Sequence, residues 1–346
     1  MKKLLFLCVA VLMIFSLTAV AFAAGGEKEV KPAGKVPKRV GWVGNYMMHE
    51  WYQNVWKGMR ERAEMLGIEL EVLDANLDMA KQVSFAEDLM AKGVDVLIIT
   101  PVQQEGAAAI VKKAKMEGIP LIIEASAVEG MTTMVAICDY DCGYKGGVAT
   151  GEYVKKNLGG KARVMAIDLP MLRPCILRVD GFMDGLHTVI PDAELVHRLD
   201  GQGLKDQALQ VATDALTADP NINVIYGCND DSALGALQAY RAAGLDEKKL
   251  VACGTGGEGN AFIHAMQEGG PYKVEAAMFP EAVGYECINM AVKLYNGEQV
   301  PQHYVTPTLA LTTETWDDYY TLKGDVRSIN WDNVNKINRE AQCGKY

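Results

Sequence analysis

From Arg39 onward the chain alternates short apolar runs with stretches whose apolar residues recur at helical spacing. RVGWVG is an apolar run ending at Gly44. Trp51 to Leu66 then places Val55, Met59, Ala63 and Leu66 on one face, with Gly67 as a stop signal. IELEVLD reads as a strand, Met79 to Ala91 as a helix closed by Gly93, VDVLIITP as a strand, Gly106 to Met116 as a helix closed by Gly118, and IPLIIEA as a strand. The continuous Val, Leu and Ile runs indicate strands buried on both faces. Their alternation with helices implies right-handed crossovers and a parallel sheet. The cadence restarts after Asp139, with Tyr144 to Asn157 helical, ARVMAID a strand, Ile176 to Thr188 helical and ELVHRLD a strand. Leu204 to Thr217, Ser232 to Ala243 and Asn260 to Gln267 follow as helices, interleaved with the strands NVIYGCND, LVACGTG and KVEAAMF. A helix over Ala282 to Tyr295 and a strand around Val305 to Leu311 complete the pattern. So many strands predict two doubly wound α/β units rather than one open sheet. Ligands of such sheets sit beyond the carboxyl ends of the strands, so the residues just after each strand carry the functional information.

Composition narrows the class. The chain has 346 residues, 49% hydrophobic and 23% charged, which is an ordinary globular balance that excludes a disordered or disulfide-scaffold protein. Met1, Lys2 and Lys3 precede an apolar run from Leu4 to about Val20, and Ala21-Phe22-Ala23-Ala24 supplies small residues at a cleavage site. Residues 1–23 therefore read as a cleaved signal peptide that exports the protein to the periplasm, and residues 24–37 as a flexible leader. Cleavage would take the formal net charge from −10 to about −12 by removing two lysines. An acidic chain of this kind is not expected to bind nucleic acid or an anionic membrane surface. Cys138, Cys142, Cys175, Cys228, Cys253, Cys287 and Cys343 remain after cleavage. Cys138, Cys228 and Cys253 lie on apolar segments where a free Cys behaves as a small hydrophobe, so buried thiols are expected in preference to disulfides or a metal site.

The strand ends hold the candidate chemistry. Asn45, Tyr46, Met47, Met48, His49, Glu50, Trp51 and Tyr52 follow the first strand. Such aromatics cover C–H surface, while amides and carboxylates take hydroxyls; alternatively Trp51 and Tyr52 are the buried start of a helix. Glu124 ends an apolar strand, as a hydroxyl acceptor or a hinge hydrogen-bonder. Asn229 opens a helix, where it can cap or face a cleft while Asp230 does the other. Arg173 and Arg178 flank a proline loop, and one guanidinium there could grip vicinal oxygens. The histidines are scattered, Gly254 to Gly259 fits neither a dinucleotide fingerprint nor a phosphate loop, and no nucleophile elbow is present. A binder is expected, not an enzyme, with no cofactor and no metal.

The segments RVGWVGN, DANLDMAKQVSFAEDLMAKGVDVLIITP, AKMEGIPLIIEA, RVDGF and NVIYGCNDDSALGALQAYRAAG resemble the periplasmic sugar-binding proteins of the ribose/galactose type, the type I solute receptors of ABC importers. The resemblance runs from about Lys38 to Leu311. It implies two α/β lobes joined by three crossover strands near Asp139, Phe279-Pro280 and Thr306, closing over ligand about a hinge. The N-terminal lobe would comprise residues 38–139 plus 280–306, and the C-terminal lobe 140–279 plus 307–346 with an extended tail ending in a strand or turn and a final helix. The chain is expected to be monomeric and to serve an ABC permease, or else to present its ligand to a chemoreceptor or sensor kinase. By the same resemblance Asn45, Trp51, Tyr52, Glu124, Asn229 and one of Arg178 and Arg173 occupy ligand positions. Ala125, Thr255 and Met278 stand where the family carries Arg, Asp and Gln. Losing those groups implies a ligand smaller or less hydroxylated than a hexose.

Overall fold

The computed structural model describes residues 34–339. The signal peptide expected over residues 1–23, most of the leader, and Cys343 lie outside them. The first part of the chain runs β1 (Arg39–Gly44), α1 (Glu50–Leu66), β2 (Glu69–Asp74), α2 (Met79–Ala91), β3 (Val96–Ile99), α3 (Gln104–Glu117), β4 (Leu121–Glu124) and β5 (Thr133–Ala136). The second runs α4 (Asp139–Asn157), β6 (Arg163–Asp168), α5 (Arg173–Val189), β7 (Glu194–Asp200), α6 (Lys205–Ala218), β8 (Val224–Gly227), α7 (Asp230–Ala242), β9 (Val251–Gly256), α8 (Ala261–Gln267) and β10 (Tyr272–Ala277). After these come α9 (Pro280–Tyr295), β11 (His303–Val305) and β12 (Leu309–Thr312). The tail adds α10 (Trp316–Tyr319), β13 (Tyr320–Lys323), β14 (Val326–Ile329) and α11 (Trp331–Val334).

Two six-stranded sheets result, in the orders β11-β5-β4-β3-β1-β2 and β12-β10-β9-β8-β6-β7. All neighbours are parallel except β10 and β12. Strands such as Val96–Ile99 and Val224–Gly227 are buried throughout, as their unbroken apolar runs require when helices cover both faces. The molecule is a pair of doubly wound α/β lobes. The chain passes between them after β5, after β10 and between β11 and β12. The apolar stretch read as one strand around Val305 to Leu311 is in fact two, because the third passage carries the chain from one sheet to the other.

Helices within each lobe pack at backbone contact. A Cβ on Gly143 would lie 2.0 Å from the carbonyl oxygen of Arg178, and one on Gly181 would lie 2.1 Å from that of Tyr140. Only glycine permits α4 and α5 to approach so closely, and this approach sets where Arg178 emerges. Cys142, Cys175, Cys228, Cys253 and Cys287 are buried free thiols. Cys138 is disulfide-bonded, which corrects its reading as a free apolar thiol; pairing depends on tertiary position, not on the apolar run that carries the residue.

The tail spans both lobes. Tyr320 is buried against Phe262 and Phe279, while Trp331 packs on Tyr285 of α9 at 4.6 Å between ring centroids and donates to Glu61 of α1 at 3.0 Å. The final helix is a single turn in the described residues. Arg327 lies at the centre of this arrangement, 5% exposed. It donates to the carbonyls of Gly257 and Gly259 at 2.7 and 2.8 Å and to Glu281 at 2.8 Å, with its guanidinium 5.0 Å from the Tyr320 ring centroid. Replacing it by methionine (Arg327→Met) leaves the fully buried Glu281 carboxylate unpaired. Chemical denaturation should show a loss of about 3–5 kcal/mol, partly restored by adding Glu281→Gln. An unchanged midpoint would show that this node is not structural.

Candidate functional site

The first lobe presents its polar groups at the ends of β1 and β4. After Gly44 the chain turns through Asn45 and Tyr46, and His49 caps α1 by accepting the N–H of Trp51 through Nδ1 at 3.2 Å. Asn45 Nδ2 donates to the Tyr52 hydroxyl at 3.0 Å, while Asn45 Oδ1 is buried without a partner. Tyr46 and Trp51 are half-buried, and Trp51 packs on the apolar core of its lobe. Glu124 ends β4 and is fully buried. Its Oε2 accepts the Thr100 hydroxyl at 2.7 Å, and Thr100 in turn accepts the Trp42 indole N–H at 2.9 Å. The other oxygen, Oε1, has no hydrogen-bond partner. Burial, opposed only by the Thr100 hydrogen bond, pushes the Glu124 carboxyl up to about 7. Ala125, immediately after it, adopts φ 72°, a left-handed conformation that is costly for a residue with a Cβ.

The second lobe contributes Arg178 from α5. Its Nε donates to Asp139 at the start of α4 at 2.8 Å, and Nη1 donates to the Cys228 carbonyl after β8 at 3.0 Å. Arg173 is exposed at the N-terminus of the same helix, so the two arginines have separate environments. Beyond β9 the chain turns at Gly257 (φ 66°) and delivers Glu258. The Glu258 N–H bonds Asp230 Oδ2 at 2.9 Å, and the Gly257 N–H bonds Glu275 Oε1 at 2.7 Å. Asp230 and Glu275 are buried carboxyls behind the same turn, and burial and then the charge of Asp230 push the Glu275 carboxyl well up. Asp230 is pushed up to about 7 by burial and then by the charge of Glu258. Glu258 itself is raised to about 8, by burial first, with Arg178 opposing and Glu275 and Asp231 adding to the rise.

The two sets face each other. Asn54 of α1 donates to the Glu258 carbonyl, and Glu50 lies against Gly259, where an added Cβ would come within 2.2 Å of its Oε2. The Tyr52 hydroxyl is held protonated by burial and then by the charge of Glu124. Asn45 opposes that shift, Glu258 adds to it, and Arg178 opposes it again. His49 is shifted down by burial, against the pull of Asp231 and with a push from Arg178. Asn45, Tyr52 and Glu124 of one lobe and Arg178, Glu258 and Asp231 of the other thus share one electrostatic environment. It can offer acceptors and a guanidinium to hydroxyls on a small molecule, with aromatic surface at its edge.

Three of the expected positions are committed elsewhere. Asn229 spends its amide on capping, accepting from the Ser232 N–H at 2.9 Å and donating to the Gly203 carbonyl at 3.0 Å. Thr255 is fully buried and donates to the Tyr226 hydroxyl at 2.9 Å, with Tyr226 stacked on Phe182. Met278 is fully buried in the core of the first lobe. Sequence reasoning named Asp230 beside Asn229 but passed over Glu258, Asp139 and Glu275 as site residues. Of these, Glu258 directly follows a strand and its glycine-rich setting was the available signal.

A family model described as a periplasmic binding protein domain matches residues 40–299. The ribose import binding protein of Bacillus subtilis is 26% identical over 88% of this chain and 96% of its own length. A xylitol-binding protein of Mycolicibacterium smegmatis is 28% identical over 62% of this chain and 61% of its own length. Among solved structures, an ABC transporter periplasmic solute-binding protein from Actinobacillus succinogenes with bound D-allose is similar with a TM-score of 0.72 and 26% identity. That likeness covers 81% of this chain and 99% of the other.

The buried Glu124 predicts a pH signature. A carboxyl that holds its proton to about 7 in the folded chain, against 4.5 when free, lowers stability progressively as pH rises between those values. The full penalty, on the order of 3 kcal/mol, is present above the upper value. Glu124→Gln keeps an oxygen for Thr100 and removes the charge. Its denaturation midpoint relative to the parent should be clearly higher at pH 8 than at pH 5. An equal difference at both values would contradict the assignment.

Proposed function

The chain belongs to the periplasmic binding protein family, and on that premise we propose that it is an exported receptor for one small polyhydroxylated ligand, a sugar or polyol. The ligand is enclosed between the two lobes and handed to the permease of an ABC importer. The observation that carries this reading is that Asn45 and Tyr52 of one lobe lie beside the place where α1 meets Glu258 and Gly259 of the other, with Arg178 in the same electrostatic environment. Because the lobes are joined by three short passages, a ligand touching both sets favours the closed arrangement over an open one, and the closed form is what a permease recognises. Relatives named for ribose import and for xylitol support a polyhydroxylated ligand, as does the D-allose held by a structural neighbour. Ala125, at the end of β4, stands where a longer polar side chain could have reached ligand hydroxyls, which favours a ligand smaller or less hydroxylated than a hexose.

Ligand-stripped protein should be screened by thermal shift against pentoses, hexoses and short alditols. A binder at one hundred times its dissociation constant stabilises by about 2.7 kcal/mol. Small-angle scattering with that compound should then show a smaller radius of gyration, and Arg178→Ala should weaken binding at least tenfold. Binding without compaction would remove the enclosing mechanism. Preference for glucose, galactose or ribose at micromolar affinity would remove the size argument.

A further inference from the structure

Besides Arg178, several carboxylates gather where the lobes meet. The Arg178 charge is matched by Asp139 at 2.8 Å. Glu124, fully buried, has one oxygen held by Thr100 and the other without any partner. Glu258 acts on Tyr52 from the opposite lobe, Asp231 acts on both His49 and Glu258, and Glu50 lies against Gly259 beside them. Behind these, the buried Asp230 and Glu275 accept the backbone N–H groups of Glu258 and Gly257. Arg327, the nearby guanidinium of the tail, is taken up by Glu281 and two carbonyls.

Hydroxyl groups can donate to these carboxylates but bring no charge, and buried carboxylates without a cation are held toward their neutral form. Glu124 at about 7 and Glu258 at about 8 show that strain, and Arg178 only partly offsets it at Glu258. The whole chain, with a formal net charge of −10, favours approach of cations over anions.

We propose that the ligand of this cleft is a polyhydroxylated molecule bearing one protonated amine, with the ammonium group held by Glu124 and Glu258 and the hydroxyls by Asn45 and Arg178. The proposal rests on the receptor reading above and narrows its ligand class.

Titration calorimetry with matched pairs tests it: ribitol and sorbitol against 1-amino-1-deoxyribitol and 1-amino-1-deoxysorbitol, at low and at physiological salt. The amines should bind at least tenfold more tightly than their parents, and the advantage should shrink as salt rises. Glu258→Gln should reduce the amine-to-polyol ratio to below threefold. Asp231→Asn, an exposed substitution, should reduce it in the same direction and serves if Glu258→Gln does not fold. Neutral alditols binding as tightly as the amines would overturn the amine proposal and leave the receptor reading in place. Failure of both series, with sugars also failing in the thermal screen, would overturn both.

Discussion

The site depends on a guanidinium that does not belong to it. Arg327, carried on a hairpin near the end of the described chain, binds the carbonyls of Gly257 and Gly259 in one lobe and the carboxylate of Glu281 on the helix that packs into the other. The loop between those glycines bears Glu258. Its backbone is therefore held from behind by Arg327, from below by Asp230 and Glu275, and from across the cleft by Asn54. A buried ion pair of this kind is weak evidence for net stability, but it fixes one geometry because either charge alone would be costly. The tail thereby sets how the glycine-rich turn meets the opposing lobe.

The same economy governs the carboxylates. Two with structural duties are satisfied: Asp139 by Arg178, and Glu275 by Tyr272 and the Gly257 N–H. Glu124 and Glu281 each have one oxygen engaged and one left bare in a fully buried setting, but Glu281 is held by the Arg327 guanidinium and Glu124 only by the neutral Thr100 hydroxyl. A fold does not gain stability from such an arrangement. It gains a group whose charge state changes when something approaches, which is the property expected of a binding site and not of a core.

Much of this was legible in the residue pattern. Unbroken apolar runs gave the parallel strands, and stop-signal glycines bounded several of the helices. The rule that ligands lie beyond strand ends pointed to the Asn45–Tyr52 loop and to Glu124, which the structure brings into one electrostatic environment. What the pattern hid is long-range. Nothing near Arg327 announces that its partners are Gly257 and Glu281, and the apolar pattern around Val305 does not itself show the sheet change that the family resemblance placed near Thr306. Asn229 illustrates a local ambiguity: an asparagine at a strand end and at a helix start suits both roles, and here the cap consumes both ends of its amide. Thr255 illustrates another, since a strand residue's facing depends on register, and its hydroxyl turns toward Tyr226. Glu258 was hidden by its neighbours, because glycines that permit a turn also read as a turn and nothing more.

The central claim is that one small polyhydroxylated molecule is held by both lobes at once. Native mass spectrometry of the chain purified gently from the medium in which it is made tests this most directly. The account predicts a single bound molecule per chain, released on denaturation, and lost in Asn45→Ala and in Arg178→Ala alike although the two residues lie on different lobes. A bound molecule that survives either substitution undiminished would contradict the account, because the site would then belong to one lobe alone.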